Sequence, residues 1–206
     1  MKIMSETKVY PTSVYAEMTP NPATIRFVAD RVVVTEGLSL EFMNKAEARG
    51  NSNLADDLFN FPFVDSIFIQ NNFVAVTKNE SISWDFVTMQ LREFIRDFLV
   101  KNEFAGIQAP QEQVERKEEK KKAIQSVGPS EYDATIESIL EEFVKPAVAK
   151  DGGAIDFVSF NDGVVTVELR GACSGCPSST VTLKSGIETL LKQKIDAVKE
   201  VVAVEL

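Results

Sequence analysis

Cys173 and Cys176 are the residues best suited to chemistry in this sequence, and they are its only two cysteines. Ser174 and Gly175 between them are small enough for both sulfurs to face one point. Pro177 reads as the first position of a helix, where its missing N–H costs nothing. Cys176 then sits at a helix N-terminus, where unpaired N–H groups and the helix dipole favour thiolate. Thiolate both binds soft metals and attacks disulfides, so the spacing alone fits metal binding, redox cycling or a pair of inert thiols. The chain contains no histidine. That removes the usual general base near neutral pH and the commonest nitrogen ligand. It also makes Ser-His-Asp and Cys-His nucleophile schemes impossible within the chain.

Ligand arithmetic narrows the choice. Zinc and iron–sulfur clusters want about four ligands, and one CxxC supplies two. A symmetric dimer would complete the set by bringing two such loops together, giving a centre that is lost when the dimer opens. A thioredoxin-type CxxC needs a β-α-β unit ahead of it, whereas a helix and a hairpin precede this one. The remaining alternatives make different predictions: a thiol–disulfide protein forms a reversible Cys173–Cys176 disulfide, and a zinc-bridged module is colourless when loaded. Asp151-Gly152-Gly153 is the second feature of interest. Its glycines read as a helix stop, or as a place where the backbone comes close to the cysteine loop, with Asp151 as a neighbouring group.

The elements that must hold this loop are legible nearby. Ile136, Ile139, Leu140, Phe143, Val144, Ala147 and Val148 follow helical spacing from Ser130, which with Asp133 resembles a capping box. Pro146 should kink or break that helix. AIDFVSF and VVTVEL alternate as strands around Asn161-Asp162-Gly163, a strong hairpin signal. After the cysteines, Leu183, Ile187, Leu190 and Leu191 mark one face of a helix, and VKEVVAVEL a last strand. The predicted order over 130–206 is α-β-β-α-β.

Upstream, residues 18–104 predict a second small α/β domain. TPNPATIRFV reads as a turn entering a strand at Ile25 and Phe27, and RVVVTEG, LSLEF, VDSIFIQ and FVAVTK as further strands, with turns at Gly37 and at Asn71-Asn72. NSNLADDLFN reads as a short helix capped by Asn51 or Ser52. A long helix follows Ser83, with Trp84, Val87, Leu91, Phe94, Ile95 and Phe98 on its core face. Residues 107–129 mix charges without an apolar face and predict a flexible linker. The fold class expected is therefore α+β, two small α/β domains joined by a charged linker.

Composition limits the partners. The chain has 206 residues, 44% of them hydrophobic and 26% charged, with a net charge of −9. Residues 1–106 carry 10 basic and 14 acidic side chains, and residues 130–206 carry 7 and 13. Neither half is basic, which argues against nucleic acid and against an anionic membrane surface. No run is long and apolar enough to span a bilayer. The first twenty residues lack an apolar core and arginine, so they do not read as a targeting segment; the expectation is a soluble protein of the cytoplasm.

As a set, DGG, GACSGCPSSTVTLKSGIE, VKPAVAKDGG and VKEVVAVEL strongly resemble the C-terminal domain of NifU and of the Nfu-type iron–sulfur cluster carriers. TPNPATIRF, LADDLFNFPFVDSIFI, FVAVTK and the following Trp84 resemble the Nfu N-terminal domain. Two positions depart from the family pattern: Ala154 stands where many members have Asp, and Ala23 where Asn is common. The resemblance implies a carrier or scaffold rather than an enzyme. Cys173 and Cys176 of two chains would bind one [4Fe–4S] cluster in a homodimer. Its partners would be apo iron–sulfur client proteins and upstream cluster-assembly proteins.

Overall fold

The computed structural model of the chain describes residues 8–35, 38–106, 130–174 and 177–204, the last with backbone only over 177–180. The expected linker, 107–129, lies outside the described residues. The described residues fall into two compact units, one holding the first five strands and the other residues 130–204, with Thr19–Asn21 counted to the latter.

In the first unit, β1 (Val14–Met18), β2 (Thr24–Ala29), β3 (Ser39–Phe42), β4 (Val64–Gln70) and β5 (Phe73–Lys78) form an antiparallel sheet in the order β1-β2-β5-β4-β3. α1 (Lys45–Ala48), α2 (Asn53–Leu58) and α3 (Trp84–Lys101) complete the unit. Alternate residues Ile25, Phe27, Ile67, Ile69, Val74 and Val76 enter one core with Leu54, Leu58, Val87, Leu91, Ile95 and Leu99 from the helices. The spacing of the α3 residues repeats every four positions, so its buried stripe runs one step away from the expected Trp84-Phe94-Phe98 edge. Those three aromatics flank the core, half-buried, and the Trp84 Nε1–H donates to the Pro22 carbonyl at 3.1 Å.

Ser52 is the cap of α2, its hydroxyl accepting the Ala55 N–H at 3.2 Å. Asn71 takes φ +48° in the β4–β5 turn, as the hairpin reading requires. One expected strand does not form, and one unexpected strand does. Residues 31–35 of RVVVTEG form no strand: Val33 and Val34 are fully buried, but their N–H groups both go to the Asn71 carbonyl, and a β-rich sequence is consumed by burial without a ladder; Glu36 and Gly37 lie outside the described residues. β1 is a strand that the sequence pattern does not predict. It pairs with β2 from Val14↔Ala29 to Met18↔Ile25, and only Val14 of its five residues is buried, too little apolar alternation to announce a strand. Arg31 closes the carboxyl end of α3, donating from Nη2 to the Leu99 and Asn102 carbonyls at 2.6 and 2.8 Å, where terminal carbonyls lack helix partners.

The second unit has the predicted order. α4 (Asp133–Ile139) runs through a π-helical turn (Leu140–Val144) into α5 (Lys145–Lys150); β6 (Gly153–Asn161), β7 (Val164–Gly171), α6 (Pro177–Lys194) and β8 (Glu200–Val204) follow. β6 and β7 are antiparallel and β7 and β8 parallel, the latter needing the helical crossover. Half of the expected capping box forms: Asp133 accepts the Ser130 N–H at 3.1 Å, while the helix itself has no side-chain cap. Pro146 does not break the helix. The wider π turn just ahead of it shifts the hydrogen-bond ladder where proline cannot donate. Asp162 and Gly163 take φ +50° and +92°, the left-handed pair of a tight hairpin. A bulge between Phe157 and Ser159 re-aims β6, so that both Phe157 and Phe160 reach a core of Ile136, Leu140, Val165, Val167, Leu169, Leu191 and Val201.

Leu91 is wholly buried at the centre of α3. Leu91→Ala should destabilise the first unit by about 2–5 kcal/mol, read as a lower urea midpoint at an unchanged slope.

Candidate functional site

Cys173 sits two residues beyond the end of β7. Gly171, at φ +68°, turns the chain out of the strand, and its carbonyl accepts both the Ser174 N–H at 3.1 Å and the Ser174 hydroxyl at 2.8 Å. The Ala172 N–H donates to the Gly152 carbonyl at 3.2 Å. The cysteine loop is thus tied to the turn that joins α5 to β6. Cys173 is 6% exposed and packs into the core of the unit. Cys176 lies outside the described residues. α6 begins at Pro177, the helix position expected from its missing N–H.

The Asp151-Gly152-Gly153 turn performs both functions that its residues suggested, on different glycines. Gly152 ends α5 with φ +85°, its N–H donating to the Ala149 carbonyl at 3.1 Å. Gly153 starts β6 opposite Gly171 and lies against the sulfur. A Cβ there would stand 2.7 Å from Cys173 Sγ and 2.6 Å from the Arg170 carbonyl oxygen. The Arg170 carbonyl is strand backbone and the short Cys173 side chain is packed into the core, so neither gives way easily and the position suits glycine.

Electrostatics keep the thiol neutral. Burial, and secondarily the Asp151 carboxylate, push the Cys173 thiol up from 9.0 to about 12. At neutral pH it is protonated and a weak nucleophile as it stands; a metal would have to displace the proton. The strand behind the loop carries its own charge problem. Asp156 and Glu168 face each other across β6 and β7. Arg170 lies between them, bonded to Asp156 and 3.8 Å from Glu168, and Lys145 adds a contact to Asp156 at 3.3 Å. Arg170 and Glu168 are both buried, so loss of the arginine would leave the facing carboxylates with Lys145 on Asp156 alone to offset their repulsion. Sequence reading missed this network, because in an alternating strand charged residues normally mark the solvent face. Among the described residues no three His, Cys, Asp or Glu side chains converge as a metal site.

Two outcomes test this geometry. Gly153→Ala should lower stability by about 1–3 kcal/mol through overpacking and speed alkylation of Cys173; an unchanged urea midpoint would remove the packing argument. Because the folded thiol holds its proton to higher pH than the unfolded one, its contribution is complete below pH 9 and fades as pH rises toward about 12. Wild type should therefore lose stability relative to Cys173→Ala between pH 9 and pH 11, by at most about 1.4 kcal/mol per pH unit. Parallel curves for the two proteins would disprove the shift.

Comparison with known proteins agrees with this architecture. The family described as "NifU-like domain" matches residues 136–202, and "Scaffold protein Nfu/NifU N terminal" matches residues 14–102. NifU-like protein 4, mitochondrial, of Arabidopsis thaliana is 37% identical over 192 residues, covering 91% of this chain and 64% of the relative. NifU-like protein 5, mitochondrial, of the same plant is 35% identical, covering 91% and 66%. The human NFU1 iron-sulfur cluster scaffold homolog, mitochondrial, is 33% identical over 187 residues, covering 89% and 68%. The chain thus spans about two thirds of the length of these relatives. Their names overturn the expectation of a cytoplasmic protein: all three are mitochondrial, and the composition of twenty residues was no guide to the compartment. With both family regions matched in order and these relatives aligned along nearly all of its length, the chain belongs to the NifU-like, Nfu-type family.

Proposed function

We propose that the protein is an iron–sulfur cluster carrier in which Cys173 and Cys176 of two chains hold one [4Fe–4S] cluster and release it to apo-proteins. One observation carries the reading: a buried sulfur, seated by Gly153 at the end of β7, in a chain with two cysteines and no histidine. A cluster asks for about four soft ligands, so a second copy has to supply the other pair. The name of the human relative, an iron-sulfur cluster scaffold homolog, supports the same reading.

The cluster is cargo here, and the protein's part is to bind, shield and give it up. Delivery would proceed by ligand exchange, with acceptor cysteines taking the places of Cys173 and Cys176 in the coordination sphere. An acceptor cysteine that replaces Cys173 leaves a thiol that regains its proton, which the buried environment of that residue favours. No bond to a small substrate is made or broken, and on this reading the protein is not an enzyme. Its partners are apo iron–sulfur proteins and the assembly proteins that load it. The domain limits 18–104 and 130–206 belong to the same proposal, with the second domain presenting the cluster.

Anaerobic reconstitution with iron and sulfide should give a brown dimer with about four irons per two chains, and Cys173→Ala, folded by circular dichroism, should retain none. A colourless wild type that cycles a Cys173–Cys176 disulfide, or a full metal site on a monomer, would overturn the proposal.

A further inference from the structure

Gly186 sits in the interior of α6, where glycine is the least favourable residue after proline. No packing contact among the described residues accounts for it. Its backbone is helical, and a Cβ built there meets no atom within 4 Å among the described residues. Gly153 and Gly163, by contrast, would meet backbone at once. The open space over Gly186 belongs to an apolar groove that runs between the π turn and α5 on one side and α6 on the other. Phe143, Ala147, Leu183 and Leu190 line it together with Pro20 and Asp151, and Cys173 is part of its wall. Phe143 is 46% exposed on the rim, although an isolated domain has every reason to bury it. Lys194 rests over its ring.

We infer that this groove is the seat of a second copy of the chain in the cluster-bearing dimer, with Gly186 left bare so that the partner's surface can approach α6 closely. The inference rests on the cluster-bridging reading and deepens it by naming the surface. A cluster is only a few bonds across, so two chains sharing one must bring their Cys173 loops nearly together. Surface bordering Cys173 then falls inside the interface, and the groove is the apolar surface continuous with it. The pairing is isologous: the same groove is used on both chains. A small, close-packed contact of this kind adds to the cluster's own bonds without holding the apo chains together.

The test sets two readouts against each other in the full chain. Gly186→Ala removes a poor helix former and should raise the apo-protein's Tm by about 2–6 °C. Gly186→Leu fills the groove floor and should weaken the reconstituted dimer about tenfold or more in sedimentation at falling concentration, with the apo fold intact by circular dichroism; Gly186→Ala should weaken it in the same direction. Dimer affinities of both variants within about twofold of wild type would overturn the assignment. So would an unaltered dimer that delivers its cluster more slowly to an apo-acceptor with a four-cysteine site, which would make the groove a client surface instead. Failure of the underlying reading is separately visible: wild type itself would then form no cluster-bearing dimer, before any variant enters.

Discussion

The contact between Gly153 and the Cys173 sulfur is the constraint around which the second unit is arranged. The sulfur can occupy its place only because the residue opposite has no side chain, and the same missing Cβ admits the Arg170 carbonyl. That residue is the first of β6, so the register Gly153↔Gly171 places a glycine at the root of the cysteine loop from both strands. The helix must therefore stop one residue earlier, and Gly152 does this with a left-handed φ. Shifting the strand pair by one residue would put Ala154 or Ala172 where only a hydrogen fits, and would turn the alternating core residues to the wrong face. Packing of the core and seating of the sulfur are one geometric requirement.

The neighbouring charges follow from the same placement. Asp156, Glu168 and Arg170 lie on the strands that carry the loop, and their pairing stiffens the sheet close to the sulfur. The π turn and Pro146 set the path of the helix that delivers Asp151 and the two glycines. A regular helix through Leu140–Val144 would rotate everything after it, because each added or lost residue turns the chain by roughly 100°. The irregular turn is thus part of how the loop is aimed, and the groove beside Cys173 is its other consequence.

A buried, protonated thiol suits reversible binding. Burial opposes the bare thiolate, while a bound metal supplies the positive charge that a thiolate needs. On the proposed carrier role, release of a metal would return Cys173 to the neutral state that its burial favours. A redox thiol has the opposite need, a stabilised and accessible thiolate. The two uses of the same CxxC spacing differ in what surrounds the sulfur.

Much of this was legible in the sequence where local rules govern. Helical spacing from Ile136 to Val148, the Asp162-Gly163 turn, the Asn71 turn and the Ser52 cap each depend on a few adjacent residues, and each formed. So did the order α-β-β-α-β. Strand identity failed where it depended on partners: the segment 31–35 is β-rich yet forms no strand, and β1 is a strand because β2 offers it an edge. Composition said nothing of the compartment. The CxxC and the absence of histidine, read from the sequence, restrict the chain to two soft ligands. Only the tertiary structure decided that Gly152 and Gly153 have different tasks, that Cys173 is buried beside Asp151, and that Gly186 faces open space. Those facts are distances between residues up to roughly twenty or more positions apart, and chain folding, not local propensity, brings such residues together.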